Sequence, residues 1–288
     1  MYAITGITGQ VGGALARRLL AQEQTVRAVV RDPAKGRAWT AQGCGLALAQ
    51  ADDVQALTRA FADTQGVFIL LPPNFDPAPG FPESRRLIGA LHAALLAARP
   101  QRVVCLSTVG AQATQTSLLS QLGLLEEALS SLPMPIAFLR AAWFMENALW
   151  DVASACDQGC LDSYLQPLDR AIPMVSAADV GRTAAELLQE TWTGRRIVEL
   201  QGPTPVSPRD LAAGFARLLG RDVGTRAVPR ERWEALFREQ GMANPLPRMQ
   251  MLDGFNQGWI RFEEDGVQAR RGGTALDAVL RSLLERAR

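Results

Sequence analysis

Near the amino end stands Tyr2-Ala3-Ile4-Thr5-Gly6-Ile7-Thr8-Gly9-Gln10-Val11-Gly12-Gly13: a short apolar run, then glycines three apart, then the start of a helical pattern. That order, strand then glycine turn then helix, is the entry to a βαβ unit. Each glycine has its own task in it. Gly6 lets the chain turn sharply, Gly9 lets the backbone approach a pyrophosphate, and Gly12 lets helix and strand pack closely. The free N–H groups and positive end of the following helix face an anion, which places Thr8, Gln10 and Val11 beside it. An ordinary glycine-rich turn would share the spacing. The position between strand and helix at the head of a βαβ unit favours a dinucleotide site.

Working outward, the first 140 residues alternate apolar runs with helical patterns, as a parallel sheet covered on both faces requires. The expected strands are Tyr2–Thr5, Val26–Val30, Gly66–Leu71, Arg102–Leu106 and Ile136–Leu139, with Cys44–Gln50 a weaker one. Between them Val11, Leu15 and Leu19, then Val54, Leu57 and Phe61, Leu87, Leu91 and Leu95, and Leu118, Leu122, Leu125 and Leu129 recur at helical spacing. From about Trp143 helices become commoner. Ser176 to Asp179 resembles a capping box, and Ser207-Pro208-Arg209-Asp210 opens a helix closed by Gly220. Ile197–Leu200 reads as a strand, and a last helix starts near Thr274. The expected architecture is therefore α/β: a Rossmann-like doubly wound parallel sheet over 1–142, rejoined by segments from about 172–202. Residues 143–288 form a smaller, mostly helical C-terminal domain on the substrate side.

The second strand ends Val30-Arg31-Asp32-Pro33-Ala34-Lys35. An acid binding the ribose of NAD is expected about 20 residues beyond the glycine turn. Arg31 occupies the strand end instead, and a guanidinium matches a 2′-phosphate better than a hydroxyl. Lys35, the one lysine of the chain, lies close enough to add a second charge. These residues favour NADP(H). The other reading leaves both cations solvated and puts Asp32 on the ribose.

Composition narrows the partners and the chemistry. A net charge of +1 gives no electrostatic reason to expect nucleic acid or an anionic membrane. No apolar run reaches the roughly 20 residues of a bilayer span, and a strand directly after Met1 leaves no room for a signal peptide. A cytoplasmic protein with four reduced cysteines is expected, and a homodimer on general frequency. Cys156 and Cys160, four apart on an expected helix, read as packing residues. One histidine, His92, and scattered cysteines make no metal-ligand set, and His92 reads as a surface or packing residue.

Further motifs carry a family likeness. These are Leu70-Leu71-Pro72-Pro73 after a core strand, Leu106-Ser107-Thr108-Val109-Gly110, and Leu139-Arg140-Ala141-Ala142-Trp143-Phe144-Met145-Glu146-Asn147. Val175 to Gly181 and Leu200-Gln201-Gly202-Pro203 follow. With the glycine turn and Val30-Arg31-Asp32, this ordered set resembles the NmrA-like family of atypical short-chain dehydrogenases/reductases, with its quinone-reductase-like members, over nearly the whole chain. The resemblance implies that Leu70, Leu71, Pro72, Ser107 and Thr108 border the nicotinamide, with Phe144 to Asn147 near the substrate cleft. Two positions depart from the family: Gln50 stands where an acid near the adenine is common, and Arg140-Ala141-Ala142 lacks the proline and glycine of the usual Leu-Arg-Pro-Gly loop.

Typical short-chain dehydrogenases transfer a proton through Tyr-x-x-x-Lys. Here no tyrosine lies between Tyr2 and Tyr164 and no lysine follows Lys35, so no catalytic residue is assigned and alcohol–ketone interconversion by that route is disfavoured. Hydride transfer to a quinone-like acceptor survives, because the reduced oxygen is a stable anion that can take its proton from water. Phe75, Phe81, Trp143, Phe144 and Met145 are expected apolar walls and Asn147 a hydrogen-bonding group. A non-catalytic NADP(H) redox sensor working through a protein partner fits the missing pair equally well.

Overall fold

The structure, a computed structural model, describes residues 1–263 and 266–287. The chain begins β1 (Tyr2–Thr5), α1 (Gln10–Ala21), β2 (Val26–Val30), α2 (Pro33–Thr40), β3 (Gly45–Leu48), α3 (Val54–Phe61), β4 (Gly66–Ile69). It continues α4 (Pro82–Ala98), β5 (Val103–Thr108), α5 (Ser120–Leu129), β6 (Ile136–Ala141). Then come β7 (Trp143–Phe144), a 3₁₀ turn (Met145–Asp151), α6 (Val152–Asp157), β8 (Cys160–Ser163), β9 (Met174–Val175), α7 (Ala177–Gln189), β10 (Arg195–Gln201). The rest is α8 (Pro208–Leu219), β11 (Gly224–Ala227), α9 (Trp233–Glu239), α10 (Leu246–Gln257), β12 (Gln268–Arg271) and α11 (Leu276–Ala287).

Eight strands form one parallel sheet in the order β12-β10-β6-β5-β4-β1-β2-β3. Its central strands are apolar on both faces, and β4 and β6 are buried along their whole length. One face is covered by α1 and α7, whose Val11, Leu15, Val180, Ala184 and Leu188 pack on Ile4, Val104 and Leu139. The other is covered by α3, α4 and α5 through Leu57, Phe61, Leu91, Leu95, Leu125 and Leu129. The fold is thus Rossmann-like and doubly wound. A separate apolar core joins α6, α8, α9, α10 and α11 around Phe215, Trp233, Phe237 and Leu280.

Several local expectations shift. β4 stops at Ile69, two residues early, because the Thr5 hydroxyl accepts the Leu70 N–H at 2.8 Å and turns the chain off the sheet. β6 runs on through Ala141, and the Ala142 N–H donates to the Leu200 carbonyl at 2.9 Å. A proline in this Leu-Arg-Ala-Ala segment would have removed an N–H. Asp179 supplies only half a capping box: its N–H donates to Ser176 Oγ, but its carboxylate accepts from Thr274 N–H. Ser207 and Asp210 form the complete box. The last helix starts at Leu276, two residues beyond Thr274. Cys156 lies in the last turn of α6 while Cys160 belongs to β8, so the two share no helix face. Among the described residues no helix is long and apolar enough to cross a membrane.

Candidate functional site

β1 lies mid-sheet between β4 and β2, with later strands running outward from both, so the sheet's topological switch point is the carboxyl end of β1 and β4. The glycine turn occupies it. Gly6 adopts φ +65° and its carbonyl accepts the Gly9 N–H at 3.0 Å. A Cβ on Gly12 would stand 2.3 Å from the Gly6 carbonyl oxygen and 2.9 Å from Ile7 Cα, so only glycine fits. Thr8, Gly9 and Gln10 are exposed at the turn, while the Val11 side chain is buried and anchors the helix. The first turn of α1 has neither a side-chain cap nor an acidic residue. By contrast α2, α3, α7 and α8 are capped by Asp32, Asp53, Ser176 and Ser207. The α1 terminus is therefore chemically suited to a phosphate, whose oxygens would take the place of a cap.

At the end of β2, Arg31 and Lys35 are exposed and have no carboxylate partner among the described residues. Asp32 Oδ1 accepts the Ala34 N–H at 2.8 Å and holds the start of α2, which orients its carboxylate toward its own helix. Gln50, after β3, is exposed near this end of the sheet.

Leu70 links the turn to what lies beyond. A Cβ on Gly6 would meet Leu70 carbons at 3.2–3.3 Å, so the turn rests on this side chain. Leu70 is in turn part of the wall of a cavity of about 1370 Å³ between the sheet edge and the C-terminal helices. Leu71, Pro72, Phe75, Ser107, Thr108, Trp143, Phe144 and Asn147 share that wall. Trp143 stands edge-on to Phe255 with ring centroids 5.1 Å apart. Phe75 is 56% exposed, which puts it at the rim. The Asn147 amide makes no hydrogen bond to the described residues. Phe81 does not belong to this wall: it is buried at the left-handed residue preceding α4.

Ser107 is turned away from simple availability. Its hydroxyl donates to Glu126 Oε1, and Glu126 also receives Arg140 through Nε at 2.9 Å and Nη2 at 2.7 Å. Arg140 Nη1 reaches Glu263 at 2.8 Å, with Glu199 at 3.6 Å. This buried cluster ties β5, α5, β6 and β10 to the segment entering β12. Burial raises the Glu199 pKa and the Arg140 charge opposes that rise.

The sequence reading missed the far wall. It comes from Asp151, Asp162, Tyr164, Arg226, Arg232 and Arg248, with Met251, Leu252 and Phe255 on one face of α10. Asp162 and Arg226 form an ion pair that lowers the Asp162 pKa. Asp151 is pushed up to about 6 by burial and by the Asp162 charge. The helix carrying Arg248, Met251, Leu252 and Phe255 was not singled out in the sequence, and nothing local says what it would face. His92 lies on α4, its Nε2 3.0 Å from Ser131 Oγ, and takes no part in the cavity wall.

Comparison with known proteins agrees with this architecture. Residues 2–258 match the NmrA-like family. Quinone oxidoreductase 2 of Escherichia coli (strain K12) is 27% identical over 252 residues, covering 86% of this chain and 85% of that protein. The NAD(P)H azoreductase of Xenophilus azovorans is 23% identical over 247 residues, covering 85% and 83%. Among solved structures, an NADPH-dependent quinone oxidoreductase from Escherichia coli complexed with NADPH superposes with a TM-score of 0.80 at 22% identity, over all of both chains. The Citrobacter sp. triphenylmethane reductase complexed with NADP(H) gives 0.78 at 19% identity, over 100% of this chain and 99% of that one. With its glycine turn, its doubly wound sheet and this family match along nearly its full length, the chain belongs to the NmrA-like family.

Proposed function

We propose that this protein binds NADP(H) along the carboxyl edge of the sheet and reduces a quinone or similar planar acceptor in the adjoining cavity. The 2′-phosphate would pair with Arg31 and Lys35, and the pyrophosphate would lie on Gly6, Thr8, Gly9, Gln10, Val11 and Gly12. The nicotinamide would rest against Leu70, Leu71, Pro72, Ser107 and Thr108. Phe75, Trp143 and Phe144 would sandwich the acceptor, with Asn147 donating a hydrogen bond. Residues 1–142, with β10 and β12, act as the cofactor-binding part and most of 143–288 as the acceptor side.

The observation that carries this reading is the Gly6–Leu70 contact, which joins an anion-binding turn directly to a large, mostly apolar cavity. A cofactor lying on the turn reaches the cavity by way of Leu70. A large, mostly apolar cavity beside the turn favours a small-molecule acceptor there. The relatives named for quinone and azo compounds support the same acceptor class.

Reduced nicotinamide brings hydride transfer; the chain contributes binding, orientation and exclusion of water. Two electrons pass to the acceptor with the hydride, leaving an oxygen anion of low basicity that takes its proton from water. That step calls for no Tyr–Lys pair, and none is present.

The test compares NADPH and NADH, as binding and as turnover with simple quinones, for the natural protein and Arg31→Ala. NADPH affinity should fall about tenfold to a hundredfold in the variant, the range of one charge-assisted pair, while NADH stays within twofold. Equal affinities that ignore the substitution refute the NADP(H) site. Saturable NADPH binding without turnover on a broad quinone panel refutes the reductase.

A further inference from the structure

Most polar groups of the cavity wall are already satisfied. Asp162 and Arg226 neutralise each other, Gln121 bonds to Ser84 and to the Asn74 and Leu118 carbonyls, and Ser107 is held by Glu126. Several donors are not, among them Asn147 at one end and the exposed Arg232 and Gln240, and two of them, Tyr164 and Arg248, are half-buried side by side. The Tyr164 hydroxyl has no hydrogen-bond acceptor among the described residues. The Arg248 guanidinium has no carboxylate there either; its one polar contact is Nη1 to Met242 Sδ at 3.7 Å.

These two donors are brought together by a common floor. The Arg248 guanidinium carbon stands 4.3 Å from the Phe237 ring centroid, and the Tyr164 ring packs on the same Phe237 at 5.0 Å. Tyr164 is fixed further by an edge-on contact with Trp233 at 5.8 Å and by Asn256, whose amide donates to the Tyr164 carbonyl at 2.9 Å.

Arg248 stands where an unpaired cation is doubly unfavourable. Burial removes it from water and lowers its pKa, and it lies in the first turn of α10, whose positive end repels cations. With Met251, Leu252 and Phe255 it makes one helix face on the cavity, a face that an apolar residue would complete more cheaply. A partly buried charge without a carboxylate among the described residues is stabilised by a ligand that supplies the negative charge.

We infer that Arg248 and Tyr164 form an anion subsite, and that the acceptor reduced in this cavity is an aromatic compound carrying a carboxylate or sulfonate. This rests on the reductase reading above. It specifies the orientation too: the anionic group lies toward α9 and α10, and the reducible part toward Leu70 and Thr108 on the opposite wall.

The test uses ortho-naphthoquinone and its monosulfonate as paired acceptors with NADPH, for the natural protein, Arg248→Met and Tyr164→Phe. Each variant is compared with the natural protein on the same acceptor, which removes the difference in intrinsic reactivity. Arg248→Met keeps a chain over Phe237. It should lower kcat/KM for the sulfonate at least about tenfold through KM, and Tyr164→Phe about threefold to tenfold. The neutral quinone and NADPH affinity should stay within twofold, and Arg248→Lys should recover part of the sulfonate activity. Equal losses on both acceptors, or none on either, overturn the subsite. If the natural protein reduces neither acceptor, the reductase reading fails. Titration of naphthalene sulfonate against tryptophan fluorescence then decides the subsite separately: binding weakened by Arg248→Met upholds it, and identical binding, or none in the natural protein, refutes it.

Discussion

Among the described residues, replacing Arg140 by methionine removes the one cation from a cluster of three carboxylates. The arginine side chain is 3% exposed, Glu126 11% and Glu199 3%, so water cannot take over the lost contacts at either inner carboxylate. Methionine fills most of the volume, which confines the effect to charge. Breaking a buried pair by removing one partner costs about 3–5 kcal/mol, a large share of the roughly 5–15 kcal/mol that holds a domain folded. At about 2–4 °C per kcal/mol for chains somewhat smaller than this one, the melting temperature should fall by roughly 6–20 °C. The sign of the pH dependence follows from Glu199. Burial already raises its pKa and the Arg140 charge restrains that rise, so in Arg140→Met the native carboxyl rises further above its unfolded value. A raised folded pKa gives stability that is present at low pH and lost as pH rises through it. The deficit of the variant should therefore be largest near pH 8 and shrink toward pH 5. Urea denaturation of both proteins across that range measures it. Glu126→Gln added to Arg140→Met should recover part of the loss, because an amide carbonyl still accepts from Ser107 without leaving a charge. A loss under 1 kcal/mol, or one constant in pH, would show that the cluster is solvated and refute the account.

Three further outcomes follow from single positions. Gly12→Ala forces a Cβ against the Gly6 carbonyl at 2.3 Å; the turn must open, so NADPH affinity should fall by about tenfold or more, read by fluorescence titration, with about 1–3 kcal/mol lost in stability. Asp151→Asn removes a carboxyl whose pKa is raised to about 6, a group that favours the folded state below the unfolded carboxylate range and loses that advantage as pH rises through 6. The variant should be more stable at pH 7.5 by about 1 kcal/mol, a figure kept small because the carboxyl is partly exposed, with the gain gone below pH 4 in thermal melts. Ser207→Ala breaks the complete capping box of α8 and should cost about 1 kcal/mol in urea denaturation, without altering NADPH affinity.

What the sequence made legible depends on how far apart the cooperating residues lie. The buried strands β1, β2, β4, β5 and β6 declare themselves as apolar runs because each is covered on both faces. The edges do not. β3 leaves Leu46 and Leu48 exposed, and β12 is Gln268-Ala269-Arg270-Arg271, a polar strand held by its pairing with β10 and by Arg270 on Glu190 at 2.6 Å. No local periodicity announces such a strand, since its partners lie far away in the chain. The same distinction divides the site. A phosphate turn is a matter of backbone within eight residues, so Gly6, Gly9 and Gly12 can be read where they stand. The cavity wall is assembled from segments as distant as Leu70 and Phe255, and its polar members look like ordinary surface charges until the packing is known.

Arg248 shows how a local conflict becomes informative once that packing is in view. As sequence it is one arginine among many, placed beside a proline at the start of a helix. As structure it breaks the apolar stripe of α10, opposes the helix dipole and stacks on Phe237 without a carboxylate among the described residues. The first two and the missing carboxylate are unfavourable for folding alone, and among the described residues only the Phe237 ring and Met242 Sδ offset them. The proposed anion subsite would offset all three together. The proposed cofactor edge and the proposed acceptor wall thus differ in kind. One is built from glycines that leave backbone donors free, and the other from side-chain donors that the fold leaves unmatched; in both, the unmet hydrogen-bonding capacity points to the ligand.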